Sequence, residues 1–83
     1  MRLRADVSVA DTDYGQVLLD ERSGRYWQLN PTGVAVVRAL LEGADENAAV
    51  AALTFAYEVD EARARQDVSA LVAGLRTAGL VTT

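Results

Sequence analysis

The chain opens on a period-two pattern. Leu3, Ala5, Val7 and Val9 alternate with Arg2, Arg4, Asp6 and Ser8. That alternation predicts a strand over about residues 2–9 with one face in the core and one in water. Asp11-Thr12-Asp13-Tyr14-Gly15 then reads as a turn, because Asp and Gly tolerate turn backbone angles. Two more short strands follow, at about 16–21 and 25–29, separated by Arg22-Ser23-Gly24. A three-residue hairpin loop wants glycine at its third position, and Gly24 stands there. This loop sets Glu21 opposite Arg25, Leu19 opposite Trp27 and Val17 opposite Leu29. The apolar residues then share a face and the charges pair, leaving Leu18, Asp20, Tyr26 and Gln28 on the other side.

After residue 30 the period changes to that of helices. Asn30-Pro31 is an N-cap followed by proline at the first helical position, and Gly43 is a stop signal, so a helix is expected over about 31–42. Its Val34, Val36, Val37, Leu40 and Leu41 are apolar on most sides, which makes it central. A second helix, about 46–57, starts at Asp45 and carries Val50, Leu53, Thr54 and Tyr57 with Ala49, Ala52 and Ala56. A third, about 61–78, is capped by Asp60 with Glu61 in its first turn. Its stripe is Ala64, Val68, Leu71, Val72, Leu75 and Ala78; Gly79 closes it and Leu80-Val81 folds back onto the core. The fold class is therefore α+β: a three-stranded antiparallel sheet followed by three helices, winged-helix-like.

Composition narrows the function. Eighty-three residues, 51% of them hydrophobic and 24% charged, make one small globular domain. Residues 11–34 contain no alanine while residues 35–83 contain thirteen, in keeping with strands first and helices after. Cysteine and histidine are absent, and all eight basic residues are arginine, so the commonest nucleophiles, bases and metal ligands are missing. No catalytic residue, metal site or cofactor is expected. Ser8, Ser23 and Ser69 have no base to activate them. Asp11 and Asp13 are only a fragment of a calcium loop, and Asp45, Glu46, Asp60 and Glu61 are explained as caps and first-turn charges. A net charge of −4 argues against nucleic-acid binding through phosphates. No apolar run is long enough to span a membrane, and the first residues lack a signal-peptide core, so a cytoplasmic location is expected.

What remains is a binding surface. In strand order one, two, three, the segment Arg25-Tyr26-Trp27-Gln28-Leu29 is an edge whose free N–H and C=O groups can accept another strand. The edge carries one charge, at its start. In the third helix Arg63, Asp67, Ala70 and Gly74 fall on one line beside the apolar stripe, and the small residues leave room for close approach.

The order of elements and the junction Ser23-Gly24-Arg25-Tyr26-Trp27-Gln28-Leu29-Asn30-Pro31-Thr32-Gly33 resemble the PqqD-like family, the recognition elements of ribosomally made, post-translationally modified peptides. Asp67-Val68 and the ending Leu75-x-x-x-Gly79-Leu80-Val81 also match, and the free-standing form is similar to the members from lasso-peptide pathways. The resemblance covers essentially the whole chain, 1–83, as a single leader-peptide-recognition domain. It implies that the leader of a precursor peptide adds as a strand to the third strand, Arg25 to Leu29, in the groove beside the third helix. It supports Asp67 best as part of the helix wall; Arg63, Ala70, Leu71 and Gly74 extend that wall by the helix period. It implies as partners a leader, typically carrying Tyr-x-x-Pro-x-Leu, a leader peptidase and an ATP-dependent cyclase, with the domain a monomer when alone.

Three alternatives stand beside this reading. One is a winged-helix DNA-binding domain, although the third helix carries only three arginines against two acids. Another is a PqqD-type chaperone for a radical enzyme in quinone cofactor synthesis. The last is a structural domain that dimerises through the third strand.

Overall fold

The computed structural model describes residues 1–82. In chain order it contains β1 (Arg2–Leu3), β2 (Val7–Thr12), β3 (Gly15–Asp20), β4 (Tyr26–Leu29), α1 (Pro31–Leu41), α2 (Glu46–Tyr57), α3 (Glu61–Thr77) and β5 (Val81–Thr82). β2, β3 and β4 form an antiparallel sheet in that order, and β1 pairs with β5 in a separate two-stranded ribbon. A three-stranded antiparallel sheet and three helices are present as expected, the helix bounds differ by no more than a residue, and the β1–β5 ribbon is additional.

All three caps form as their residue types dictate. The Gly33 N–H donates to Asn30 Oδ1 at 2.8 Å, the Ala48 N–H to Asp45 Oδ1 at 2.8 Å and the Arg63 N–H to Asp60 Oδ2 at 3.3 Å. Each satisfies one amide that the helix itself leaves orphaned.

Two strand expectations change. The single first strand over 2–9 is broken at residues 4–6, where the Val7 N–H donates to the Arg4 carbonyl at 3.0 Å. The first half pairs with β5 and the second with β3. A uniform alternation cannot report that its two halves have different partners. The turn expected over Asp11–Gly15 also tightens: β2 runs to Thr12, which lies opposite Gly15, so only Asp13 and Tyr14 connect the strands.

The hairpin register is shifted by one residue. Leu18, not Leu19, stands opposite Trp27, and Gln16, not Val17, opposite Leu29. The loop is four residues, Glu21 to Gly24, closed by the Gly24 N–H on the Asp20 carbonyl and the Asp20 N–H on the Arg25 carbonyl, both at 2.8 Å. Glu21 therefore sits in the loop, and the expected Glu21–Arg25 cross-strand pair is not made. A one-residue slip exchanges the faces of a strand. Leu18 is accordingly in the core at 1% exposure, whereas Leu19 faces outward at 37%.

Asp20 explains the register. Its carboxylate accepts from the Arg22 N–H at 3.0 Å and the Ser23 N–H at 3.4 Å, and it pairs with Arg4. Arg4 also pairs with Asp6 and donates to the Gly79 carbonyl at 2.7 Å. A charge that alternation puts in water is instead buried because its acceptor sites are filled. Burial pushes the Asp20 carboxyl up, but the loop N–H groups, Ser23 and Arg4 outweigh it and hold it below the usual carboxylate range. Asp6 is likewise held low, chiefly by its hydrogen bond from Arg4.

The core has two parts. Val36, Leu40, Ala49, Val50, Leu53, Ala64, Val68 and Val72 pack between the helices. Leu18, Leu29, Val37, Leu75, Leu80 and Val81 pack beneath the sheet, with Trp27 and Leu3 at their margin. Met1 and Leu71 touch both. α1 serves both because Val36 and Val37 are adjacent and so point to different sides of the helix.

Candidate peptide-binding groove

β4 pairs only with β3, so its other edge is open among the described residues. The Asp20 N–H bonds the Arg25 carbonyl, and antiparallel bonding alternates residue by residue. Arg25, Trp27 and Leu29 therefore turn their main chain toward β3, and Tyr26 and Gln28 turn theirs to the open edge. The side chains alternate the other way: Leu29 is 2% exposed in the core, while Tyr26, at 71%, stands on the outer face. The edge offers two amides and two carbonyls with an aromatic on each face.

Beside that edge runs a groove of about 350 Å³. Trp27, Gln28, Leu29 and Asn30 form one wall and Asp67, Val68 and Leu71 of α3 the other. Thr32, Gly33 and Val36 of α1, with Leu53 of α2, complete it. Val36, Leu53, Val68 and Leu71 supply apolar floor, and Asp67 is the one acidic or basic residue in the lining.

The sequence-selected residues do not all come together. Trp27, Gln28, Leu29, Asp67 and Leu71 line the groove together. Arg25 and Tyr26 instead border a second hollow of about 190 Å³, with Asp20, Trp27, Ala78 and Leu80. Arg63 stands one turn before Asp67, 3.7 Å from it as an exposed i,i+4 pair, and belongs to a shallow depression with Asp60 and Ser69. Ala70 is exposed and borders neither hollow. Gly74 lies under the indole of Trp27, so the space it leaves is filled by the chain's own side chain.

Asn30, Thr32, Gly33, Val36, Leu53 and Val68 were not selected from the sequence. Asn30, Thr32 and Gly33 lie in the junction run, where their capping role hid their position at the groove. Val36, Leu53 and Val68 are indistinguishable in sequence from any other core residue.

Chemically, the groove can hold an extended chain: main-chain bonds along β4, apolar side chains on the floor, and a carboxylate on the far wall. No group of three or more potential metal ligands occurs among the described residues.

An open sheet edge running beside a helix, with a side-chain groove between them, defines the class: a small α+β domain whose free edge can accept a further strand. The chain belongs to the PqqD family, whose model, coenzyme PQQ synthesis protein D, matches residues 15–81. Two solved structures are similar over almost the full length. One, lasso peptide synthetase B1 complexed with the leader peptide, is 48% identical with a TM-score of 0.91, covering 99% of this chain and 96% of that one. The other, TbiB1 in complex with the TbiA(beta) leader peptide, is 28% identical with a TM-score of 0.84, covering 96% and 93%. No curated protein matches the chain.

Proposed function

We propose that this chain binds the leader segment of a ribosomally made precursor peptide and presents it to a leader peptidase, and to a cyclase, in lasso-peptide maturation. The leader adds as an antiparallel strand to β4 and lays alternate side chains into the groove against α3. The observation that carries this reading is the open β4 edge beside a groove of mixed polar and apolar lining, in a chain 48% identical to a lasso peptide synthetase B1 that holds a leader peptide. The domain acts by binding, with the chemistry done by its partner enzymes in the cytoplasm.

The energetics assign a role to each part of the site. Four main-chain bonds at about 1 kcal/mol each roughly cancel the ~2–5 kcal/mol needed to order a disordered segment. The edge therefore supplies alignment, and the groove supplies affinity: two buried leader side chains such as Tyr and Leu add about 1.5–3 kcal/mol each.

The DNA-binding alternative is disfavoured by α3 itself. Arg63 pairs with Asp67 and Arg65 with Glu61, so two of its basic groups already face carboxylates. Among the PqqD-type readings, the likeness to a lasso peptide synthetase B1 at 48% identity favours the lasso branch over quinone cofactor synthesis.

Fluorescence polarisation with a labelled synthetic peptide carrying Tyr-x-x-Pro-x-Leu tests the proposal. Saturable binding that a scrambled peptide does not compete is the expected result. Binding no stronger than that of the scrambled control, or salt-sensitive capture of duplex DNA instead, would overturn it.

A further inference from the structure

Trp27 is the one residue that borders both the groove and the smaller hollow formed with Asp20, Arg25, Tyr26, Ala78 and Leu80. Its indole ring rests on Gly74 of α3. A Cβ at that position would stand 2.9 Å from Trp27 Cη2 and 3.1 Å from Cζ2, both at the far edge of the six-membered ring.

Gly74 lies within the helix Glu61–Thr77 and is absent from the positive-φ glycines. Its backbone therefore does not require glycine, and glycine weakens a helix interior relative to alanine. The one feature that calls for a missing Cβ is the indole above it. Half-buried Trp27 thus packs its ring tip on α3 while its body borders the core beneath the sheet.

We propose that Gly74 is a positioning residue of the peptide site: by letting the Trp27 ring lie flush on α3, it fixes the one residue that borders both hollows and so the shape of the groove's end. The inference rests on the peptide-binding reading and deepens it. Gly74 touches no peptide; it acts through the ring. A methyl group at this position forces the ring tip away from α3, which exposes indole surface to water and reshapes both hollows.

Trp27 is the single tryptophan, so its emission reports its own seat. Gly74→Ala is expected to shift that emission to longer wavelength without loss of helical circular dichroism. It is also expected to weaken binding of the labelled Tyr-x-x-Pro-x-Leu peptide about tenfold, the scale of one overpacked contact. Trp27→Phe shortens the ring and removes the atoms that Gly74 accommodates. In the Trp27→Phe background, Gly74→Ala should then cost little further affinity, a non-additivity that a merely structural glycine would not give.

Unchanged emission after Gly74→Ala, or an equal loss of binding in both backgrounds, overturns the proposal. Should Gly74→Ala fail to fold, folding of W27F/G74A still identifies the ring tip as the obstacle, and failure of both variants refutes it. If the unaltered protein does not capture the peptide, the peptide-binding reading falls, while the emission comparison still decides the seat of the ring.

Discussion

At the scale of single residues, Asp67 and Trp27 make different contributions, and their substitutions should part. The Asp67 side chain is 60% exposed and paired only with a still more exposed Arg63. Such a pair contributes about 0–1 kcal/mol to stability, so Asp67→Arg should leave the urea midpoint almost unchanged. It places a cation on the groove wall and should weaken peptide binding, which polarisation reads directly. Full affinity in the folded variant would remove Asp67 from the site. Trp27 is a wall of the groove and a margin of the core at once. Trp27→Ala should abolish measurable peptide capture and destabilise the domain by about 3 kcal/mol, the low end for a large aromatic because the ring is only half-buried. Chemical denaturation and polarisation on the same preparation separate the two losses.

At the scale of elements, the edge strand depends on how β3 and β4 meet. Gly15 starts β3 at φ +148°, and a Cβ there would stand 2.0 Å from the Leu29 carbonyl oxygen. Gly15→Ala should push the end of β4 away from β3 and cost about 1–3 kcal/mol, the scale of a strained backbone position. It should also weaken peptide binding more than Asp67→Arg does, because the groove wall at Leu29 moves with the strand. A urea midpoint equal to that of the unaltered protein would show that β4 is held by other contacts. The helices were legible to within a residue at their ends, since Asn30, Asp45 and Asp60 act through bonds three residues away. The β3–β4 register was not. Gly24 suits the third position of a three-residue loop and the last of a four-residue loop equally. The choice fell to Asp20, whose ligands include Arg4, sixteen residues away. Of the groove lining, Trp27 to Leu29 were reached from strand order and Asp67 and Leu71 with the help of the family resemblance, while the helix period alone also pointed to Arg63, Ala70 and Gly74, which do not line it. Leu53 and the α1 contribution could not be read, because nothing local distinguishes a groove floor from a core.

At the scale of the whole molecule, Arg4 ties the start of the chain, the hairpin loop and the turn after α3 together through Asp6, Asp20 and the Gly79 carbonyl. Asp6 and Asp20 both titrate below their ordinary range in the folded state. The unfolded chain therefore takes up protons first as the solution is acidified, beginning near pH 4. The stability these carboxylates contribute is fully present above that range and is lost as pH falls through the depressed folded values. Thermal midpoints measured from pH 6 to pH 3 should fall steeply, and more shallowly in Asp20→Asn, which starts from a lower midpoint. Identical slopes for the two proteins would show that the network does not control acid unfolding. Because Asp20 holds the loop that leads into β4, peptide affinity should decline together with the midpoint.

The sequence by itself determined the three helices and their caps, the β3–β4 hairpin, the edge position of β4 and the absence of histidine and cysteine chemistry. These follow from residue type and from periods of two and 3.6, which act over a few bonds. Only the tertiary structure decided that Arg2–Leu3 pairs with the far end of the chain, that Leu18 rather than Leu19 enters the core, and that the gap at Gly74 is filled by Trp27. Each of these outcomes depends on groups distant in sequence competing for one partner or one space, and no local pattern carries that information.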